Sequence, residues 1–175
     1  MASTPRRLRR ARGLTLIECA VSVGIAAVVL GMAAPGFASL RERERLRAVA
    51  AQLETDVAFA RSLAVAQSDT LRLEFGGARC WVLHDGPPGC NCDADGRLEC
   101  GERRVLRVMV LGADHPVQLQ SNSRAIAFDD LRGTVTPTAT VRLSLPDGSQ
   151  LNAVVNLMGR VRLCSPSGLP GYAAC

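Results

Sequence analysis

The chain contains no lysine; all 21 of its basic residues are arginine, and it has only two histidines, His84 and His115. A side-chain nucleophile needs a base within reach and a third group to orient it, so this histidine count gives enzymatic chemistry little foothold. His84, beside Asp85 after a short apolar run, reads as the end of a strand rather than as part of a triad. No phosphate-cradling glycine loop or dinucleotide fingerprint is present, and neither is an internal repeat or a low-complexity tract. No charged residue occurs between positions 19 and 40, and no acid follows Asp147. The 21 basic residues outnumber 16 acids, but five arginines lie in the first 13 residues, which leaves 16 of each sign in the remainder. Net charge therefore gives no support to nucleic-acid binding, which has to rest on local patches. The chain reads as a structural subunit, not an enzyme.

What is present is a basic leader joined to a long apolar run. Apolar character begins at Leu14, and the 22 residues from 19 to 40 carry no charge. About 20 apolar residues suffice to span a bilayer as a helix, whereas the apolar part of a secretory signal peptide covers about 7–15. Arg6, Arg7, Arg9, Arg10 and Arg12 precede the run and no basic residue follows until Arg41. The positive-inside rule keeps the leader in the cytoplasm and sends the rest of the chain across the membrane. Glu18 is the anomaly, because a carboxylate in lipid costs on the order of 2.5–3.5 kcal/mol. Either it lies close enough to the interface to stay hydrated or it has a cationic partner.

The stretch Gly13-Leu14-Thr15-Leu16-Ile17-Glu18 resembles the class III signal of type IV pilins and type II secretion pseudopilins. The resemblance implies cleavage by a prepilin peptidase between Gly13 and Leu14 and methylation of the new N-terminus. It also implies that Glu18 pairs with the amine of an adjoining subunit during assembly. The family usually begins its mature chain with Phe; here another bulky apolar residue, Leu14, takes that place.

Four segments follow: a cleaved cytoplasmic leader at 1–13, a transmembrane and assembly helix at 14–40, a soluble continuation of the helix at 41–67, and a periplasmic β domain at 68–175. Pro35-Gly36 predicts a kink, since proline removes a helical hydrogen bond and crowds the preceding turn. From Leu46, the residues Val49, Leu53, Val57, Ala60 and Leu63 recur at spacings of three and four, one face for a soluble partner. The mixed charges at 41–47 allow Arg41–Glu44 and Glu44–Arg47 pairs and form a headgroup-level collar rather than a nucleic-acid patch. Roughly 110–135 residues beyond the apolar helix make one modest domain.

After Ser68 the period changes to two. Leu71, Leu73 and Phe75 alternate with Arg72 and Glu74, and strand-like runs follow at 80–84, 105–111, 117–119, 125–128, 138–145, 151–156 and 161–164. Pro146-Asp147-Gly148 predicts a hairpin turn. The fold class is α+β: a pilin-like long N-terminal helix packed on an antiparallel β-sheet or small β-sandwich.

Cys19 lies in the apolar run, and Cys80, Cys90, Cys92, Cys100, Cys164 and Cys175 lie beyond it. Six exported cysteines predict disulfides, with 15 possible connectivities. Cys164 with Cys175 is the preferred pair, because it pins the last eleven residues to the final strand; closing so short a loop contributes about 2–3 kcal/mol. The spacing of Cys90 and Cys92 suits zinc poorly. Asn91, Asp93, Asp95, Gly96 and Glu102 fall at positions one, three, five, six and twelve of an EF-hand loop pattern, a candidate calcium site. Pro87-Pro88 before it and a strand-like run after it leave no room for two helices, and the alternative is a hairpin stapled by Cys92 and Cys100 or their neighbours. No cofactor is expected otherwise.

Gly159-Arg160-Val161-Arg162, followed by Leu163-Cys164, resembles the GRxR motif of the GspH/FimT family of minor pilins and pseudopilins. The tract Asp93-Ala94-Asp95-Gly96 through Gly101-Glu102 and Val105-Leu106-Arg107 is similar to that family's middle region. In FimT-type members the two arginines contact DNA during natural transformation, which implies Arg160 and Arg162 here, with Arg124 or Arg142 as helpers. Alternate residues of a strand point the same way, so both guanidinium groups could reach one phosphate track while Val161 and Leu163 face the core. The bland alternative is a solvated strand face. Two functions remain: a minor pilin that helps capture double-stranded DNA, and the H-type minor pseudopilin of a type II secretion system. Both imply other pilins or pseudopilins and the inner membrane as partners.

Overall fold

The computed structural model describes residues 15–92, 95 and 97–175, with the backbone alone for residues 32–35. Gly13 and Leu14, and Asp93 and Gly96 of the acidic loop, lie outside the described residues. The first element is a 52-residue helix, α1 (Leu16–Gln67). Two compact units divide the chain between Ser39 and Leu40.

In the first unit the apolar side chains of the helix, including Leu16, Ile17, Val21, Val23 and Ile25, are exposed. No single helix among the described residues is long and apolar enough to cross a membrane. The stretches Leu16–Gly31 and Gly36–Gln67 have that length and composition only as a pair, and the break between them falls at the kink expected from Pro35-Gly36.

In the second unit, the helix residues Leu46, Val49, Ala50, Leu53, Val57, Ala60 and Ala64 are buried and join one core with the β-strands. The predicted stripe differs at its end, where Ala64 is fully buried and Leu63 only partly. The helix stops at Ser68, which adopts a left-handed conformation (φ 51°). Asp69 N–H donates to the Ala64 carbonyl (3.1 Å), which satisfies one of the orphan acceptors of the last turn.

Among the described residues eleven antiparallel strands follow: β1 (Leu71–Gly76), β2 (Cys80–Asp85), β3 (Asn91–Cys92), β4 (Leu98–Glu99), β5 (Val105–Val110), β6 (Gln118–Ser121), β7 (Ala125–Phe128), β8 (Val135–Thr136), β9 (Ala139–Ser144), β10 (Gln150–Val155) and β11 (Val161–Cys164). They form a five-stranded sheet in the order β5-β2-β1-β7-β8, a four-stranded sheet in the order β11-β10-β9-β6, and the small hairpin β3-β4. Strands β9 and β10 alternate buried and partly exposed residues, as one-faced burial requires. They meet at the predicted Pro146-Asp147-Gly148 turn, where Gly148 takes φ 86° and Leu145 N–H donates to the Ser149 carbonyl.

Strands β1 and β2 depart from the expected alternation. Both are buried almost throughout, and Glu74, predicted to face outward, is 2% exposed. The cause is a cover over the second face. Cys80–Cys92 ties the β3-β4 hairpin to β2, and Cys90–Cys100 closes the hairpin itself. These four cysteines and Val82 form a separate apolar cluster. Gly76 is required beneath it, since a Cβ there would stand 2.5 Å from the Cys92 carbonyl oxygen and sulfur. Beneath the cover, Glu74 Oε1 accepts from Gly89 N–H (2.8 Å) and lies 3.3 Å from His84 Nε2, while His84 Nδ1 donates to the Asp85 carbonyl (2.7 Å). His84 is thus the penultimate residue of β2 and fully buried.

A second buried acid joins the helix to the sheet. Asp56 accepts from Trp81 Nε1 (2.8 Å), Arg107 Nη1 (2.9 Å) and Gln52 Nε2 (2.9 Å), and the Arg107 guanidinium lies over the Phe59 ring at 3.7 Å. At the C-terminus, Cys164 is bonded to Cys175. Ser165 N–H donates to the Ala173 carbonyl, and Arg47 Nη2 to the Pro170 carbonyl (2.9 Å), which seats the tail beside the helix.

Candidate functional site

The β10-β11 turn is built by Asn156. Its side-chain oxygen accepts from Arg160 N–H (2.9 Å), its carbonyl from Gly159 N–H (2.9 Å), and its own N–H donates to the Arg160 carbonyl (3.1 Å). Val135 N–H of β8 donates to the Leu157 carbonyl (2.8 Å), so the turn is tied across to the five-stranded sheet. Arg160 therefore lies in the turn, one residue before β11, rather than on the strand as the motif alone predicts. Arg162 is on β11 opposite Val154, while Val161 and Leu163 pack against the core. Both arginines are exposed, and among the described residues neither is in an ion pair.

Arg160 lines an open groove of about 620 Å³ together with Glu54 and Arg61 of the helix, Leu131 and Arg132 of the β7-β8 loop, and Val161. Arg162 is not among the groove residues. The two motif arginines thus occupy neighbouring positions, Arg160 at the groove and Arg162 on the sheet. Neither proposed helper joins the groove. Arg142 donates to Gln120 (3.4 Å) on the outer face of the four-stranded sheet, and Arg124 lines a different depression with Glu74 and Gly89. That Arg61 and Arg132 line the same groove as Arg160 was not legible, because a groove joining a helix to a distant loop has no signature in sequence spacing.

The collar at 41–47 is partly used within the molecule. Arg47 pairs with Glu44 at 2.5 Å, as expected, whereas Arg43 reaches Asp147 at 3.9 Å. Hydrogen bonds from Ser149, its backbone N–H first and then its hydroxyl, hold the Asp147 carboxyl below the usual carboxylate range, and Arg43 adds to this. His115 is held below its ordinary value first by burial and then by Arg45 and Arg79.

Glu18 lies in the first turn of α1, exposed, with its N–H donating to the Thr15 carbonyl (3.1 Å). Of the acidic-loop residues, Asn91 begins β3, opposite Glu99, and Glu102 follows the hairpin. Among the described residues no group of three or more His, Cys, Asp or Glu side chains is placed to hold a metal ion.

A family model described as the type II transport protein GspH matches residues 49–159. A second, the prokaryotic N-terminal methylation motif, matches residues 8–34 and so includes Gly13, Leu14 and Glu18. No curated protein matches the chain in sequence. Among solved structures, the type IV minor pilin FimU of Pseudomonas aeruginosa is similar at 17% identity and TM-score 0.53, over 73% of this chain and 97% of that one. The minor pseudopilin EpsH from the type 2 secretion system of Vibrio cholerae is similar at 14% identity and TM-score 0.50, over 70% and 98%. The match to the GspH model stops at Gly159, immediately before the two motif arginines.

Proposed function

From the premise that this chain belongs to the GspH family, the minor pilins and pseudopilins, we propose that it is a FimT-like subunit of a type IV pilus that helps capture DNA. In this reading the leader stays in the cytoplasm, and the prepilin peptidase cuts between Gly13 and Leu14. The apolar helix spans the inner membrane once, with the β domain in the periplasm, an oxidising compartment that suits three disulfides. Glu18, in the first helical turn, then pairs with the methylated amine of a neighbouring subunit, which removes the cost of its charge in lipid.

The observation that carries the DNA role is the pair Arg160 and Arg162: exposed, free of ion pairs among the described residues, and followed by no acid to the end of the chain. Such contacts go to phosphates and carry no base sequence, so binding is salt-sensitive and non-specific. The test is binding of labelled double-stranded DNA by the full processed chain in neutral detergent, over a salt series, beside Arg160→Ala/Arg162→Ala. The expected result is a linear fall of log affinity with log salt, with the slope reduced by about 1.8 in the double variant, about 0.9 per phosphate lost.

The description of the matching family, a type II transport protein, supports a second reading, the H-type minor pseudopilin of a type II secretion system. Absence of DNA binding at low salt would decide for it.

A further inference from the structure

Gly159 of the GRxR motif and Gly133 of the β7-β8 loop face the same side chain. Both are buried and both take left-handed conformations, φ 69° and 62°. A Cβ on Gly159 would stand 2.9 Å from Cδ of Arg61, and one on Gly133 would stand 2.9 Å from Cγ of Arg61. The methylene stem of Arg61 therefore lies across two glycine backbones, half-buried, while the residue lines the groove with Arg132 and Arg160. Arg132 is held by its backbone: Asp129 Oδ1 accepts from Arg132 N–H (2.8 Å) and Leu131 N–H (3.2 Å).

We propose that Arg61, Arg132 and Arg160 form one phosphodiester-binding groove, in which Gly159 and Gly133 serve to let the Arg61 stem cross the sheet end and join the other two. The proposal rests on the DNA-capture reading of Arg160 and extends it from a motif to a site. Three elements far apart in sequence each contribute a planar guanidinium, the group that matches phosphate geometry in two-point contacts. Among the described residues none of the three arginines is in an ion pair. Among the described residues that line the groove Glu54 is the one acid, two helical turns before Arg61, while the nearby Asp129 carboxylate is engaged by the loop's own backbone N–H groups. An acidic strip of a neighbouring subunit is the competing occupant; a continuous polyanion is favoured because the groove is open and contains Arg160, already read as a phosphate contact.

The test uses the full processed chain in neutral detergent, with labelled double-stranded DNA over a salt series and the variants Arg61→Gln, Arg61→Lys and Arg132→Gln. Near-ultraviolet circular dichroism and the urea midpoint establish that each variant is folded. Arg61→Gln and Arg132→Gln are each expected to lower the salt slope by about 0.9 and to weaken binding about eightfold at 0.1 M salt, while Arg61→Lys retains the slope. Gly159→Ala should reproduce Arg61→Gln by displacing the stem; if it fails to fold, Arg61→Gln still decides. Unchanged affinity and slope in both glutamine variants, with binding lost in Arg160→Ala/Arg162→Ala, would overturn the groove and leave the DNA reading standing. No binding by the parent chain would overturn both. Intact DNA binding with reduced co-assembly of Arg61→Gln with other pilins would assign the groove to an acidic protein partner and sink the proposal.

Discussion

Asp56 and Glu74 are buried acids with different solutions to the same cost. Asp56 spreads its charge over three donors from three elements, one of them a tryptophan that would otherwise be buried without an acceptor. Removing one partner of such a network leaves the others unsatisfied, so Asp56→Ala should lower stability by about 3 kcal/mol, read as a shift of the urea midpoint at constant m-value. Asp147 acts at the surface and shows its contribution through pH instead. Its carboxyl is held down by Ser149 and Arg43 in the folded chain. Its stabilising effect is therefore present above the ordinary carboxylate pKa, about 3.9, and is lost as pH falls through the lower folded value. The stability difference between the parent and Asp147→Asn should shrink steadily in urea melts as pH falls below about 4. Glu18 belongs to assembly rather than stability: Glu18→Val should insert into the membrane normally and enter filaments poorly, and normal incorporation would count against the pairing.

At the scale of elements, periodicity carried most of the information. The helix stripe and strands β7, β9, β10 and β11 were legible because each has one buried and one solvated face. Strands β3, β4 and β8 have two residues each and no period to read. The burial of Glu74 was illegible for another reason, since the hairpin that covers it is set by the connectivity of four cysteines, which spacing leaves open. Likewise Arg160 and Arg162 were legible from a motif, whereas the groove around Arg160 depends on how the helix meets the β7-β8 loop. The Cys164–Cys175 bond closes a short loop over a tail that also has its own hydrogen bonds. Cys164→Ser/Cys175→Ser should therefore lower the urea stability by about 2–3 kcal/mol and leave the two sheets intact by far-ultraviolet circular dichroism.

For the whole molecule, the division at Leu40 separates two different ways of hiding apolar surface. Leu40 to Cys175 buries its own core between the helix and two sheets, whereas among the described residues before it the large apolar side chains of the helix are exposed. A chain beginning at Leu40 should fold alone once its disulfides form, with a single cooperative urea transition; failure to do so would mean that the apolar segment is part of the folding unit.

The course of the tail has a practical consequence. Pro170 of the tail sits beside the early part of the helix, and Arg61 at the groove lies about 21 Å further along the same helix, at about 1.5 Å per residue. The chain end itself returns to Cys164, about 13 Å along the chain from Arg160 at about 3.3 Å per residue, so a fluorophore or affinity handle attached after Cys175 would sit close to the motif arginines, and immobilising the protein by its C-terminus would crowd any polyanion bound there.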